Sequence, residues 1–139
     1  MTVHLAKSAI DLGIVIRDSD KSLSFYRDLL GFEHVADTPM SLGGGGTMHR
    51  LQCGDTLLKL ANLTTPPAGD GSGGVTAANG LRYFTMIVTN LAEIMAECEA
   101  AGVPIAVGIT EVRPGVTIGM VEDPDGNWVE FVQNSQPAS

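Results

Sequence analysis

Glu130 stands between Val129 and Phe131 in the stretch GMVEDPDGNWVEFVQ, residues 119–133, where its neighbours suit a half-buried strand. A carboxylate in that position needs a partner or a task, because burying an unpaired charge is costly. A second acid, Asp11, interrupts the alternating run Ile10, Leu12, Ile14, Ile16 in the same way. Carboxylates on apolar strands can move protons or give oxygen to a cation. There are three histidines, His4, His34 and His49, so a His-rich metal centre is excluded by count. His49 and Arg50 are consecutive in TMHRLQC, and on a regular strand they face opposite ways. Met48, Leu51 and Cys53 leave open which of the two faces a cavity. His49 is a candidate acid–base group and Arg50 a candidate substrate contact; a solvent-facing strand histidine is the competing reading. Cys53 and Cys98 share no motif spacing and read as reduced core residues.

The elements that must hold these residues follow from periodicity. Residues 10–17 alternate with period 2 and read as a strand with one face on a core. Asp18 or Ser19 caps a helix with apolar positions Leu23, Tyr26, Leu29 and Leu30, and Gly31 ends it. Residues 32–36 read as a short strand, and residues 47–53 and 56–61 as a hairpin across Gly54-Asp55. The Gly43–Gly46 run opens a strand rather than a helix and lacks a following Lys-Ser/Thr. It is no phosphate loop and reads as a mobile rim. Residues 64–80 hold five glycines, two prolines and one large apolar residue, and read as a flexible linker with nothing to pack.

After it the order repeats. Residues 81–88 form a strand, and Asn90 caps a helix with Glu93 as its capping-box partner. Leu91, Ile94, Met95 and Cys98 give that helix its apolar stripe, and Gly102 stops it. Residues 104–109 form a strand. A hairpin turning on Asp123-Pro124-Asp125-Gly126 closes the chain. The helix starts Asp18 and Asn90 are 72 residues apart and the helix stops Gly31 and Gly102 are 71 apart, the mark of an internal duplication.

Composition narrows the partners. The 139 residues carry a formal net charge of −8 without a Lys/Arg cluster, which weighs against nucleic acid or an anionic membrane surface. No apolar run is long enough to span a membrane, and the N-terminus lacks the features of a secretory signal. A cytoplasmic protein is the expectation.

The runs DSDKSLSFYRDLLG and DPDGNWVEF, with the second helix between them, resemble the vicinal oxygen chelate superfamily of glyoxalases, bleomycin-resistance proteins and dioxygenases. The resemblance implies an α+β fold of two βαβββ modules, residues 8–63 and 81–133 joined by 64–80, forming a cupped mixed sheet in one domain. Relatives place a metal ligand on the first and last strand of each module, which here are Asp11, Lys59, Tyr83 and Glu130. The usual His, Gln and Glu set survives only at Glu130, and a lysine ammonium has no lone pair to offer. The expectation is therefore a metal-free acid–base enzyme of isomerase, epimerase or lyase type, with Trp128 in the cavity wall and no cofactor. Structural readings compete: Lys59 and Glu130 as an ion pair, Tyr83 as a core phenol. Two other functions stay open. One is a protein that sequesters a drug or metabolite. The other is a divalent-metal enzyme using Asp11 and Glu130 with His49 or water. A homodimer is implied by the resemblance alone.

Overall fold

The computed structural model describes residues 1–135. Two compact units divide at Ala68 and Gly69, and each is a four-stranded mixed sheet with a helix on one face.

The first unit runs β1 (Leu12–Ile16), α1 (Ser19–Leu23), β2 (Glu33–Met40), β3 (Gly46–Cys53) and β4 (Thr56–Leu63). Its strand order is β1-β4-β3-β2, with β1 parallel to β4 and the other pairs antiparallel. Asp18 caps α1 by accepting from the Lys21 amide at 3.1 Å. The helix then widens into a π-helical turn over Ser24–Leu29, where the Leu30 amide reaches back five residues to the Phe25 carbonyl at 3.0 Å. Gly31, with φ 83°, ends it in a conformation that other residues adopt at a cost. Ile14, Ile16, Leu51, Leu58 and Leu60 from the sheet and Leu23, Phe25 and Tyr26 from the helix are buried as its core. Burying each such side chain contributes about 1.5–3 kcal/mol before chain entropy is counted.

The second unit runs β5 (Tyr83–Ile87), α2 (Leu91–Ala100), β6 (Ile105–Arg113), β7 (Val116–Glu122) and β8 (Trp128–Asn134). The order β5-β8-β7-β6, with β5 parallel to β8, repeats the topology of the first. Leu91, Met95 and Cys98 of α2 are buried, as are Val121, Val129 and Phe131 of the sheet. Gly119 lets the helix approach: a Cβ there would lie 2.7 Å from Met95 Sδ. The β7–β8 turn is knotted by Asp123, whose Oδ1 accepts from the amides of Asp125 at 2.9 Å and Asn127 at 2.8 Å.

Three local expectations change. Asn90 precedes α2 but its side chain makes no cap; its side-chain Nδ2 donates to Glu93 Oε1 at 3.3 Å instead. The Leu91 amide is taken by Gln133 Oε1 at 2.8 Å, so the end of β8 caps the helix. The edge strands β2 and β6 run longer than their alternation indicates, because bulges break the pattern in both. The third concerns residues 64–80. The part from Gly69 onward belongs to the second unit and packs on it. Arg82 donates to the carbonyls of Gly74 at 2.9 Å and Ser72 at 3.0 Å. Gly74 is buried, and a Cβ on it would come within 2.2 Å of the Trp128 ring. The missing side chains that made the segment look unpackable are what allow it to pack so closely.

Candidate functional site

Each sheet has a face turned away from its helix, and register decides which side chains occupy it. In the first unit Lys59 on β4 pairs with Arg50 on β3 and Gly13 on β1. Two cations stand opposite each other, an arrangement that costs stability unless something negative answers it. Arg50 Nε donates to Thr38 Oγ1 at 3.2 Å, which leaves most of its guanidinium donors for another acceptor. A Cβ on Gly13 would meet nothing within 4 Å, so the surface beside Lys59 is open.

Asp11 precedes β1 rather than lying within it, and its carboxylate is already engaged. Oδ1 pairs with Lys7 Nζ at 2.5 Å and accepts the Leu57 amide at 2.9 Å. The Lys7 bond first, then the Leu57 amide, hold this carboxyl below its ordinary range, with a smaller pull from the Lys59 charge. Asp11 pins the start of β1 to β4.

In the second unit Tyr83 pairs with Trp128 and Thr85 with Glu130 across β5 and β8. Glu122 and Met120 of β7 stand opposite Trp128 and Glu130, so all six share the helix-free face. Tyr83 is 51% exposed, which removes the reading of a core phenol. Thr85 Oγ1 donates to Glu130 Oε1 at 2.5 Å. The Trp128 indole donates to Glu122 Oε1 at 3.3 Å, fixing the ring plane over Gly74.

His49 is on the other side of its sheet. It pairs with Leu60 and lies on the helix-covered face, opposite to Lys59 and Arg50, so between His49 and Arg50 it is Arg50 that shares the open face. His49 is 8% exposed. Its Nδ1 meets Asp37 Oδ1 at 2.7 Å and its Nε2 meets Ser19 Oγ at 2.8 Å. His34 Nε2 reaches the same Asp37 oxygen at 2.6 Å. The His49 bond first, then the His34 bond, hold the Asp37 carboxyl below its usual range. Sequence reasoning passed over this cluster because residues 34 and 37 of a regular strand point opposite ways. A bulge between His34 and Ala36 puts both on one face.

At the positions where the resemblance implies metal ligands, the side chains differ in what they can offer a cation. Lys59 would repel a cation, Asp11 is occupied by Lys7 and Leu57, and only Glu130 offers a ligand of the usual kind. Burial raises the Cys53 and Cys98 thiols, which keeps both protonated and poor as nucleophiles.

Residues 3–131 match the profile of the Glyoxalase/Bleomycin resistance protein/Dioxygenase superfamily. No match is found among curated protein sequences. TnmS3, an antibiotic binding protein from Streptomyces sp. CB03234, is 26% identical over 95% of this chain and 100% of that one, with a TM-score of 0.68. A lactoylglutathione lyase from Agrobacterium tumefaciens is 24% identical over 93% of this chain and 96% of that one, with a TM-score of 0.63. A glyoxalase family protein from Bacillus cereus is 14% identical over 95% and 96%, with a TM-score of 0.80. The latter two likenesses carry the fold. With a profile match over nearly its whole length and the duplicated βαβββ topology, the chain belongs to the Glyoxalase/Bleomycin resistance protein/Dioxygenase superfamily.

Proposed function

We propose that the protein is an enzyme acting on a small oxygenated organic molecule by acid–base chemistry of isomerase, epimerase or lyase type, without a metal at the four positions its relatives use. The observation that carries this reading is Glu130. It is a part-buried carboxylate on the helix-free face whose bond comes from a neutral hydroxyl, that of Thr85. Such a carboxylate keeps a free oxygen to take a proton from carbon beside a carbonyl. General base catalysis of this kind is worth about 10²–10⁴-fold.

Tyr83, a diagonal neighbour of Glu130 across β5 and β8, offers a phenol proton to the oxygen that gains charge. Trp128 presents an aromatic wall. Separately, on the helix-free face of the first unit, Lys59 and Arg50 are paired positive charges suited to an anionic group. Asp11 keeps β1 in place and stays ionised; its tie to Lys7 makes it a weak base.

A second reading has its own support. Tyr83 and Trp128 are cross-strand neighbours that put two aromatic residues on one face, and the antibiotic binding protein TnmS3 matches 95% of this chain at 26% identity. On that reading the face grips a ligand without changing it.

The test replaces Glu130→Gln and Tyr83→Phe and follows both ligand binding, through the single tryptophan, and the chemical state of recovered ligand. Glu130→Gln is expected to lose at least about 100-fold in turnover while binding changes little. Undiminished turnover in the folded variant overturns the acid–base reading. Tight binding with unchanged ligand recovered from the wild type decides for sequestration.

A further inference from the structure

The His34, Asp37 and His49 cluster lies on the helix-covered face, so it belongs to neither arm of the function proposed above. Its ligand-type atoms, one from each residue, lie within 4.8 Å of one another. Two imidazoles and a carboxylate are the donor set favoured by zinc and its neighbours among the divalent first-row metals. We infer that these three residues form a divalent transition-metal site of the zinc type.

Ligand atoms around tetrahedral zinc stand ~3.3 Å apart. The contacts of Asp37 Oδ1 to His34 and His49, at 2.6 and 2.7 Å, therefore open by only about 0.6 Å to admit an ion. Asp37 can give that movement, since its side chain is 51% exposed on the edge strand β2. The same exposure leaves water to complete the shell.

The outer contacts decide whether the nitrogens are available. His49 must present a bare Nδ1 and carry its proton on Nε2, where Ser19 Oγ is the partner at 2.8 Å. A hydroxyl both donates and accepts, so Ser19 serves either tautomer. Asn62 Nδ2, 2.5 Å from the same oxygen, holds that hydroxyl in place. This is the support a metal-bound imidazole normally has.

On the His34 side the outer contact works the other way. Arg27 Nη1 lies 3.3 Å from His34 Nδ1. A guanidinium only donates, so Nδ1 accepts and the ring proton sits on Nε2, pointing at Asp37. For Nε2 to bind a metal the proton must move to Nδ1, and Arg27 must swing away. It is free to do so: Arg27 is exposed, leaves the π-helical turn that follows α1, and has a carboxylate partner of its own in Asp28 at 2.8 Å. Arg27 thus acts as a gate that opposes loading.

Equilibrium dialysis of chelator-stripped protein against zinc chloride tests this. The wild type is expected to take up one equivalent. Affinity should fall at least roughly tenfold in His34→Ala and in Asp37→Ala. It should stay unchanged in His4→Ala and rise several-fold in Arg27→Gln. Because His49→Ala removes a buried side chain and can fail to fold, its role is read in the wild type. There, zinc should shift the ring nitrogens of His34 and His49 in ¹⁵N spectra and leave His4 alone. Absence of stoichiometric uptake, uptake retained in both His34→Ala and Asp37→Ala, or shifts confined to His4 overturns the site. An unchanged or lower affinity in Arg27→Gln overturns the gate.

Discussion

A carboxylate serves as a base only when its affinity for a proton has not already been spent inside the protein. Asp11 and Glu130 look equivalent in the sequence, each an acid in an apolar run, yet they are placed differently. Lys7 and the Leu57 amide consume Asp11, whereas Glu130 holds one hydroxyl bond from Thr85. The consequence for Asp11 is measurable. Its native pKa lies below the unfolded value of about 3.9, so its contribution to stability is present above that value. That contribution is lost as pH falls through the lowered native value. Asp11→Asn should therefore flatten the fall in melting temperature between about pH 5 and pH 2 relative to wild type. An unchanged slope would show that the Lys7 contact does not form in solution. What hid this difference from the sequence is position: Lys7 belongs to an irregular segment whose path no periodicity describes.

At the level of elements, alternation correctly implies that Trp128 and Glu130 share a face, because β8 is regular and its pairing with β7 has no bulge. It fails on β2, where the bulge after His34 assembles the His34–Asp37–His49 cluster. It also fails at α2. The residue before the helix looks like a cap by type, but Gln133, 43 residues later, does the capping. Gln133→Ala should thus cost about 1 kcal/mol in chemical unfolding, and Asn90→Ala clearly less. Equal losses would return the cap to Asn90. The segment after Ala68 makes the same point through absence of side chains. Gly74→Ala places a methyl against Trp128 at a φ of +70°, so it should displace the indole and shift its emission. An emission spectrum and stability matching wild type would mean that Gly74 does not lie under the ring.

Taken whole, the chain is a duplicated module, and the duplication was legible from two helix starts and two helix stops alone. The two strand orders, β1-β4-β3-β2 and β5-β8-β7-β6, are the same pattern written twice. The candidate site residues do not repeat with it: the first module puts Lys59 and Arg50 on its helix-free face, and the second puts Tyr83, Trp128 and Glu130. In a chain with only eight basic residues, two of them stand opposite each other on this sheet, a pairing that favours a negative group beside them. No helix among the described residues is long and apolar enough to cross a membrane. The central claim is that Glu130 moves a proton on carbon without help from a metal. Proton NMR in D₂O, with chelator present and a panel of small 2-oxo and 2-hydroxy acids and esters, measures this directly. Wild type should catalyse exchange of the hydrogen beside the carbonyl in at least one compound, and Glu130→Gln should abolish it. Exchange that the chelator stops, exchange that survives Glu130→Gln, or no exchange in a compound that the wild type binds would contradict the account.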